Sequence, residues 1–369
     1  MKIGILTHYD VNNMGAQLQL YALYNQIEQM GHEPIVLEYN KNYDFNCKEK
    51  LKNQITIKSI PYIISNYLIK KGLGLTWFNY KKFKKNKRFR SYNFKQEFYS
   101  ESNAESVIVG SDEVFSIPVG INIMMFGHGL LTNKVISYAA SFGQTDMHTL
   151  KKHHCENVIS SGLRQFFALS VRDEHSADLV KLLTENSPEI VCDPVILYDF
   201  EKMKVSVRPL KKYLLLYSMD RFMIADNEIA AIKQFAQKKH LITVSVGTYH
   251  AWCDKNISCN CLEWLEYFRR AECVITDTFH GLVLSSITNR PMAVYVRSLN
   301  SNKLVDMLKR TGLSNRQIKI FDLNYLSDIF EQQIDFRELN RKIKEMREHS
   351  NNYLEHALSL CEKDETVNC

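Results

Sequence analysis

The sequence predicts an α/β protein with two doubly wound domains, each a parallel sheet with helices on both faces. Short apolar, β-branched runs alternate with segments of helical period, and this alternation occurs in two successive series. The length of 369 residues suits two domains, because an ordinary domain holds about 100–200 residues. A composition of 45% hydrophobic and 24% charged residues excludes collagen-like and disordered classes.

Each series supplies the strands of one parallel sheet. The first has a helix at 15–30 after its first strand, and the predicted strands are 3–6, 34–38, 106–109, 135–138, 166–171 and 189–192. The strands predicted for the second series are 213–218, 241–246, 273–276, 292–296 and 318–321.

The segment 198–212 between the two series shows no clear periodicity. We therefore predict a boundary near residue 207, which gives an N-terminal domain at 1–207 and a C-terminal domain at 208–369. A long charged helix at 336–360 belongs to the second domain and could pack back across the first. Two such domains facing one another would enclose a central cleft lined by loops at strand carboxyl ends, where these folds bind ligands.

We expect a cytoplasmic protein with free thiols. Its apolar N-terminal run at 3–7 is too short for a signal peptide, and no stretch approaches the 18 or more apolar residues of a membrane span. The nine cysteines are odd in number and include no CxxC pair, so we expect neither a disulfide framework nor a metal site.

Positive charge is concentrated in the segment 50–96, which holds thirteen lysines and arginines and no acidic residue. Aromatic residues alternate with lysines at 77–85, and one helical face carries Ile60, Ile63, Ile64, Tyr67 and Leu68. Such a basic amphipathic segment could contact an anionic membrane surface or an acidic partner. It could equally be a solvated helix packed on its own domain; nucleic acid is a poorer partner, because the rest of the chain is acidic and lacks a nucleic-acid motif.

Two loops of the first domain are candidate binding loops. The loop 7–16, which contains Asn13 and Gly15, could present backbone amides at a helix N-terminus to an anion or a sugar hydroxyl, or could be a plain tight turn. The Gly-Ser-Asp that ends the strand 106–109 places Ser111 and Asp112 where they could bind a polyol or cap a helix.

Two further loops carry charged side chains directly after apolar strands. Arg172 could form a bidentate contact with a carboxylate or phosphate, or a surface salt bridge with Asp173 or Glu174. His280 stands at a helix N-terminus close to Asp277, so it could act as a general acid or base while the carboxylate orients its ring. This last loop is the most specific of the four, although a histidine that caps its helix is the alternative.

The motifs resemble those of the polysaccharide pyruvyl transferase family. Six occur in matching order: residues 6–23 with Asn-Asn-x-Gly-Ala, Val-Ile-Val-Gly-Ser-Asp, Ser-Tyr-Ala-Ala-Ser-Phe-Gly at 137–143, Ser-Val-Arg-Asp-x-x-Ser, Asp193-Pro194 and Ile-Thr-Asp-Thr-Phe-His-Gly. The resemblance implies the GT-B-like arrangement of two facing Rossmann-like domains. It also implies transfer of the pyruvyl group of phosphoenolpyruvate to sugar hydroxyls of a cell-surface polysaccharide precursor, with formation of a pyruvate ketal.

The resemblance also assigns roles to residues. It makes His280, with Asp277, the catalytic group. It also makes Arg172 an anion ligand. The C-terminal domain would take the donor beside Thr278 and Gly281, and because the donor is an anion Arg297 is a second candidate ligand for it. The N-terminal domain would take the acceptor through Asn13, Gly15, Ser111, Asp112 and Phe115, with Phe115 offering an aromatic face to a sugar ring. Family members closest to ketal formation read Asp-Arg-Leu-His, so this chain has Thr278 in place of an arginine.

The chemistry requires no cofactor or metal beyond phosphoenolpyruvate as co-substrate. The expected partners are phosphoenolpyruvate, a sugar or lipid-linked oligosaccharide acceptor and an anionic membrane touched from its inner face. Two alternatives stay open at this point. The same fold would serve a glycosyltransferase that uses a nucleotide sugar, and a non-catalytic sugar-binding protein of polysaccharide assembly would bind acceptor without releasing phosphate.

Overall fold

The computed structural model describes residues 1–40, 72–118, 120–219, 224–297 and 301–363. These residues form two compact units. Unit 1 holds the described residues of 1–40, 91–198 and 345–363, and unit 2 holds those of 72–90 and 199–344.

Every sheet of the described chain is parallel. The strands are β1 Lys2–Leu6, β2 Glu33–Glu38, β3 Gln96–Phe98, β4 Ser106–Val109, β5 Val135–Ser137, β6 Ser170–Val171, β7 Glu189–Ile190, β8 Tyr213–Tyr217, β9 Ile242–Val246, β10 Lys255–Ile257, β11 Cys273–Thr276 and β12 Met292–Val294. Parallel strands are covered by helices on both faces, and this is why their sequences are nearly continuous apolar runs.

The helices alternate with these strands. They are α1 Met14–Gln29, α2 Gly72–Asn93, α3 Met147–Lys152, α4 Glu156–Leu163, α5 Glu174–Thr184, α6 Pro194–Leu197, α7 Asp226–Lys238, α8 Cys261–Arg270, α9 Phe279–Ile287, α10 Ser301–Thr311, α11 Leu323–Glu331 and α12 Phe336–Lys363. None of the described helices combines the length and apolar character needed to cross a bilayer.

The two units repeat one sheet topology. Unit 1 has the strand order β3-β2-β1-β4-β5, and unit 2 has the order β10-β9-β8-β11-β12. In both, the order reverses beside the first strand of the sheet, so each unit has a topological switch point: β1/β4 in unit 1 and β8/β11 in unit 2. Separate cores support the sheets, with Phe115, Phe126 and Phe142 in unit 1 and Phe235 and Leu326 in unit 2.

The predicted strands are found with small shifts of their ends, except at 166–171 and 318–321. Of the first, only Ser170–Val171 is a strand. The second forms no strand among the described residues, although Gln317 just before it bridges Val294. The prediction also missed β3 and β10, which are edge strands of three residues and too short to show a period.

The predicted division at residue 207 differs from the observed units. The chain passes from unit 1 to unit 2 after Tyr198, close to that boundary, but the described part of α2 up to Arg90 belongs to unit 2. The end of α12 belongs to unit 1, because Ser350 Oγ accepts a hydrogen bond from the backbone of Cys192 and the Tyr353 hydroxyl donates to the carbonyl of Ser137. The apolar face predicted at 60–68 lies outside the described residues.

Candidate active site

The predicted site loops follow the strands at the two switch points. The loop with Asn13 follows β1 and that with Ser111 follows β4, while Asp277 and His280 follow β11. In open parallel sheets, ligands bind outside the carboxyl ends of the strands where the strand order reverses. The topology therefore puts the motifs at the positions where a ligand site is expected.

In unit 2, Thr278 and Gly281 build the turn that presents His280. Thr278 is the N-cap of α9, and its Oγ1 accepts a hydrogen bond of 2.9 Å from the backbone of Gly281. A Cβ on Gly281 would lie 2.0 Å from Oγ1 of Thr276, so only glycine fits against β11. His280 is half-buried in the first turn of α9, with its ring edge-to-face against Phe279 at 5.3 Å.

Asp277 is the centre of a hydrogen-bonded network. Its Oδ2 accepts from Oγ of Ser218 at 2.6 Å and from Nε of Arg297 at 2.7 Å. The other end of the Arg297 guanidinium donates to Oε2 of Glu228 at 2.9 Å, and the group lies over the ring of Tyr295. Asp277 is thus held in one orientation by Ser218, which follows β8, and by Arg297, which follows β12 and is itself held by Glu228 of α7.

Burial raises the pKa of Asp277 above its ordinary value. The hydrogen bonds from Ser218 and Arg297 and the positive charge of Arg297 work in the opposite direction and offset only part of the effect. Burial of Arg297 lowers its pKa, but the carboxylates of Asp277 and Glu228 raise it by more. The network therefore keeps a charged guanidinium beside a carboxyl group that retains its proton more tightly than usual.

The sequence analysis missed three members of this network: Ser218, Glu228 and His250. Nε2 of His250 donates to the carbonyl of Ser218 at 3.0 Å, and Asn256 clamps the His250 backbone through two hydrogen bonds. A signal was present for two of them, because Ser218 and the His250 loop both follow apolar strands at the same sheet edge as Asp277.

In unit 1, Asn13 and Gly15 form a helix cap. Asn13 is the N-cap of α1, and its Oδ1 accepts from the backbone of Gly15 at 2.9 Å. Both residues thus lie at a helix N-terminus as expected, and their predicted contact with an acceptor stays a prediction.

Ser111 and Asp112 lie in the neighbouring loop. The Ser111 carbonyl accepts from Oγ1 of Thr7 at 2.8 Å, which ties together the two loops of the switch point. Asp112 has a φ of +84° and keeps a partly exposed carboxylate. A side chain other than glycine is uncommon at positive φ, and such strain often marks a functional loop.

Two predicted binding residues lie inside unit 1. Phe115 was expected to offer an aromatic face to a sugar, but it is fully buried and packs at 5.0 Å on Phe126 and 5.2 Å on Phe142. That prediction is wrong, because both faces of the ring belong to the core.

The predicted anion ligand Arg172 is 3% exposed. Its Nη1 lies 2.9 Å from Oδ2 of Asp193 and its Nη2 lies 3.9 Å from Oδ1 of Asp112, so its fork is directed at carboxylates of the protein. The alternative pairing with Asp173 is also wrong, since that residue caps α5 and accepts from Ser141. Arg172 therefore pairs with Asp193 inside unit 1 and does not direct its fork at a donor.

The described cysteines are all buried free thiols. Within the described residues, no group of three histidine, cysteine or acidic side chains is arranged to hold a metal ion. Helix α2 from the basic segment is only partly solvated, because Lys82 is buried and its ammonium donates to the carbonyl of Gly247 at 3.0 Å.

Comparison with known proteins agrees with this architecture. Solved structures of similar fold include MnaA of S. aureus with UDP, at 13% identity, TM-score 0.50 and 97% of both chains covered. They also include the glycotransferase of kitacinnamycin, at 11% identity, TM-score 0.52 and coverage of 96% and 98% of this and that chain. A third is a putative UDP-N-acetylglucosamine 2-epimerase from Listeria monocytogenes, at 8% identity, TM-score 0.51 and coverage of 98% and 96%.

These likenesses confirm the predicted GT-B-like fold class. No curated protein matches the sequence. The family model for polysaccharide pyruvyl transferase matches residues 13–298, a span that contains the loop after β4, the β8/β11 switch point and the His280 turn. The chain therefore belongs to the polysaccharide pyruvyl transferase family.

Proposed function

We propose that the protein transfers the pyruvyl group of phosphoenolpyruvate to two hydroxyls of a sugar in a cell-surface polysaccharide precursor. The observation that supports this most directly is the His280 turn. A half-buried histidine stands in the first turn of α9 at the β8/β11 switch point, directly after a carboxyl group fixed by Ser218 and Arg297. Unit 2 would take the donor beside His280.

His280 would donate the proton that starts the reaction. Protonation of the methylene carbon turns it into a methyl group and leaves positive charge on the neighbouring carbon. A sugar hydroxyl attacks that carbon, the bond to the phosphate oxygen breaks, and a second hydroxyl closes the ketal. Of the two hydroxyl protons released, one replaces the proton given by His280 and the other leaves with phosphate. No metal or organic cofactor takes part in this proposal.

The donor is an anion, so the site needs positive charge and oriented N–H groups. Arg297 keeps 17% of its side chain exposed beside Asp277. The N-terminus of α9 adds the positive end of a helix dipole. We therefore assign the donor contact to Arg297 and the first turn of α9 and not to Arg172.

Replacement of His280 tests the proposal. His280→Gln should lower kcat for phosphoenolpyruvate-dependent phosphate release by about 10²–10⁴-fold with the fold intact, because a general acid contributes that much. His148→Gln, at an exposed position of unit 1, is the matched control. Turnover of His280→Gln at the wild-type rate would refute the assignment.

A ligand-binding measurement separates this function from the nucleotide-sugar alternative. Phosphoenolpyruvate should raise the thermal midpoint, since a ligand that binds only the native state stabilises it. Stabilisation by nucleotide sugars without any effect of phosphoenolpyruvate would favour a glycosyltransferase. Acceptor binding with neither effect would favour a non-catalytic sugar-binding protein.

We also propose peripheral contact with an anionic membrane through one face of α2. Tyr80, Phe83 and Lys87 follow at helical spacing, and the two aromatic side chains are 48% and 45% exposed. Exposed aromatic residues with a neighbouring lysine suit the interface of an acidic bilayer. Contact from the cytoplasmic side would bring the enzyme to lipid-linked acceptors.

A further inference from the structure

A second face of α2 lines a groove that lies wholly in unit 2. The groove has a volume of about 930 Å³ and lies between α2, the loop after β9 and strand β10. Two contacts fix the helix there. Gly74 packs so closely on Tyr249 that a Cβ would lie 2.4 Å from the hydroxyl oxygen, and the buried Lys82 donates to Gly247.

The lining of the groove is positive. Lys81, Lys84, Lys85, Arg208 and Lys255 contribute to it, and no aspartate or glutamate does. Lys85 is partly neutralised by Glu263, at 2.9 Å from its ammonium. Within the residues that the structure describes, Lys81, Lys84 and Lys255 form no ion pair. A concave surface with this charge attracts anions and holds them better than a convex one.

Aromatic side chains accompany the charge. Trp77 is 56% exposed at the groove, where its ring stacks on Tyr80 at 5.6 Å and the ammonium of Lys81 lies 5.0 Å from the ring centroid. Phe78 and Tyr249 pack against each other with ring centroids 5.6 Å apart. Ser258 also lines the groove, and its Oγ, which is shielded from solvent, has no hydrogen-bond partner among the described residues.

The groove adjoins the Asp277 network. Tyr249 lines the groove, and the next residue is His250, which donates to the carbonyl of Ser218. Asn256, another lining residue, holds the His250 backbone by two hydrogen bonds. Groove and network are thus built on the same loop at the carboxyl edge of the same sheet.

We infer that this groove binds an acidic oligosaccharide, which rests on the proposed function because it names the class of acceptor. Saccharide rings pack against exposed aromatic side chains such as Trp77, and their carboxylates or phosphates pair with lysines. A free phosphate would leave most of the volume empty. A bilayer surface would not enter a concave site.

The test uses a tetrasaccharide of galacturonic acid as probe and the full-length protein, with binding measured by calorimetry. Maltotetraose is the neutral counterpart of the same length, and inorganic pyrophosphate supplies charge without rings. We expect the acidic tetrasaccharide to bind about tenfold or more tightly than either. The double variant Lys84→Ala, Lys255→Ala should weaken its binding by about tenfold or more, while Lys233→Ala, an exposed position of unit 2 outside the groove, should leave it unchanged.

Three results would overturn the inference. One is unchanged binding of the acidic tetrasaccharide by the double variant. Another is equal affinity for pyrophosphate, which would show a site for charge alone. The third is loss of binding to phosphatidylglycerol vesicles by the double variant with no saccharide binding in any form, which would make the groove part of a membrane surface.

Failure of the proposed function looks different. If no sugar supports phosphate release from phosphoenolpyruvate but the tetrasaccharide still binds in the groove, the transfer proposal fails and the groove assignment stands. If phosphate release proceeds on neutral sugars and the groove variants bind all probes as the wild type does, the groove assignment alone fails.

Discussion

Removal of the charge on Asp193 should destabilise unit 1 strongly. Both members of the Arg172–Asp193 pair are buried, at 3% and 1% exposure, and their nearest N and O atoms are 2.9 Å apart. In Asp193→Asn the guanidinium keeps its charge and loses its main partner. An uncompensated buried charge costs about 3–5 kcal/mol. Asp112, at 3.9 Å, offsets part of it, so we expect a loss of about 3 kcal/mol in the free energy of unfolding.

The matched control is Asp146→Asn. Asp193 is the N-cap of α6, and Asp146 likewise caps a helix, since its carboxylate accepts from the backbone of Thr149. Asp146 is exposed, however, and forms no ion pair with an arginine among the described residues. Asparagine caps helices about as well as aspartate, so the control should change stability by less than about 0.5 kcal/mol.

Urea unfolding can report the two units separately. The three tryptophans, Trp77, Trp252 and Trp264, all lie in unit 2, so their fluorescence follows that unit, whereas far-UV circular dichroism follows both. The loss of stability in Asp193→Asn should therefore make the dichroism signal begin to change at a lower urea concentration than the fluorescence signal. Arg172→Met added to Asp193→Asn should recover at least half of it, because no buried charge is then left unpaired. A single variant as stable as the control would refute this reasoning.

Three further predictions concern pH, thiol chemistry and membranes. Burial raises the pKa of Asp277, so the native protein holds that proton more tightly than the unfolded chain does. The stability of the wild type should therefore fall relative to that of Asp277→Asn as pH rises from about 4 to 7. Urea midpoints of the two proteins that change in parallel with pH would contradict this. At pH 8 the seven described cysteines should resist alkylation, because they are buried and burial raises the pKa of Cys155 to about 11. Mass spectrometry of the native protein should show at most two of the nine thiols modified within minutes. Rapid modification of more than two would show that the core opens. The protein should sediment with phosphatidylglycerol vesicles at low salt, and this binding should be lost at high salt. The double variant Tyr80→Ser, Phe83→Ser should also lose it, whereas Lys255→Ala should keep it. Equal sedimentation with neutral vesicles would contradict the proposed contact with an anionic membrane.

The sequence predicts this fold well because parallel strands leave a strong local pattern. Buried apolar runs and the polar residues that end them are visible without knowledge of any partner. This is why Asp277 and His280 are found directly after the carboxyl end of a strand, as predicted. The same locality explains why the three-residue edge strand β10 was missed.

Predictions that depended on the direction of a side chain failed. The position of Phe115 after β4 does not reveal that its ring turns into the core against Phe142, a residue 27 positions later. Likewise, the buried partner of Arg172 is 21 residues away at Asp193, while acidic residues lie next to it in the sequence. Only the tertiary structure selects between near and distant partners.

The interrupted course of the chain through the units affects synthesis on the ribosome. Unit 1 includes residues 345–363 of α12, and the backbone of Cys192 depends on Ser350 for a hydrogen bond. Domains usually fold in order from the N-terminus as they emerge. Here the N-terminal sheet cannot complete its packing until residues 345–363 have been translated, whereas unit 2 has its described segments by residue 344. The later half of the chain should therefore reach its native state first, and nascent unit 1 is the part that would need a chaperone.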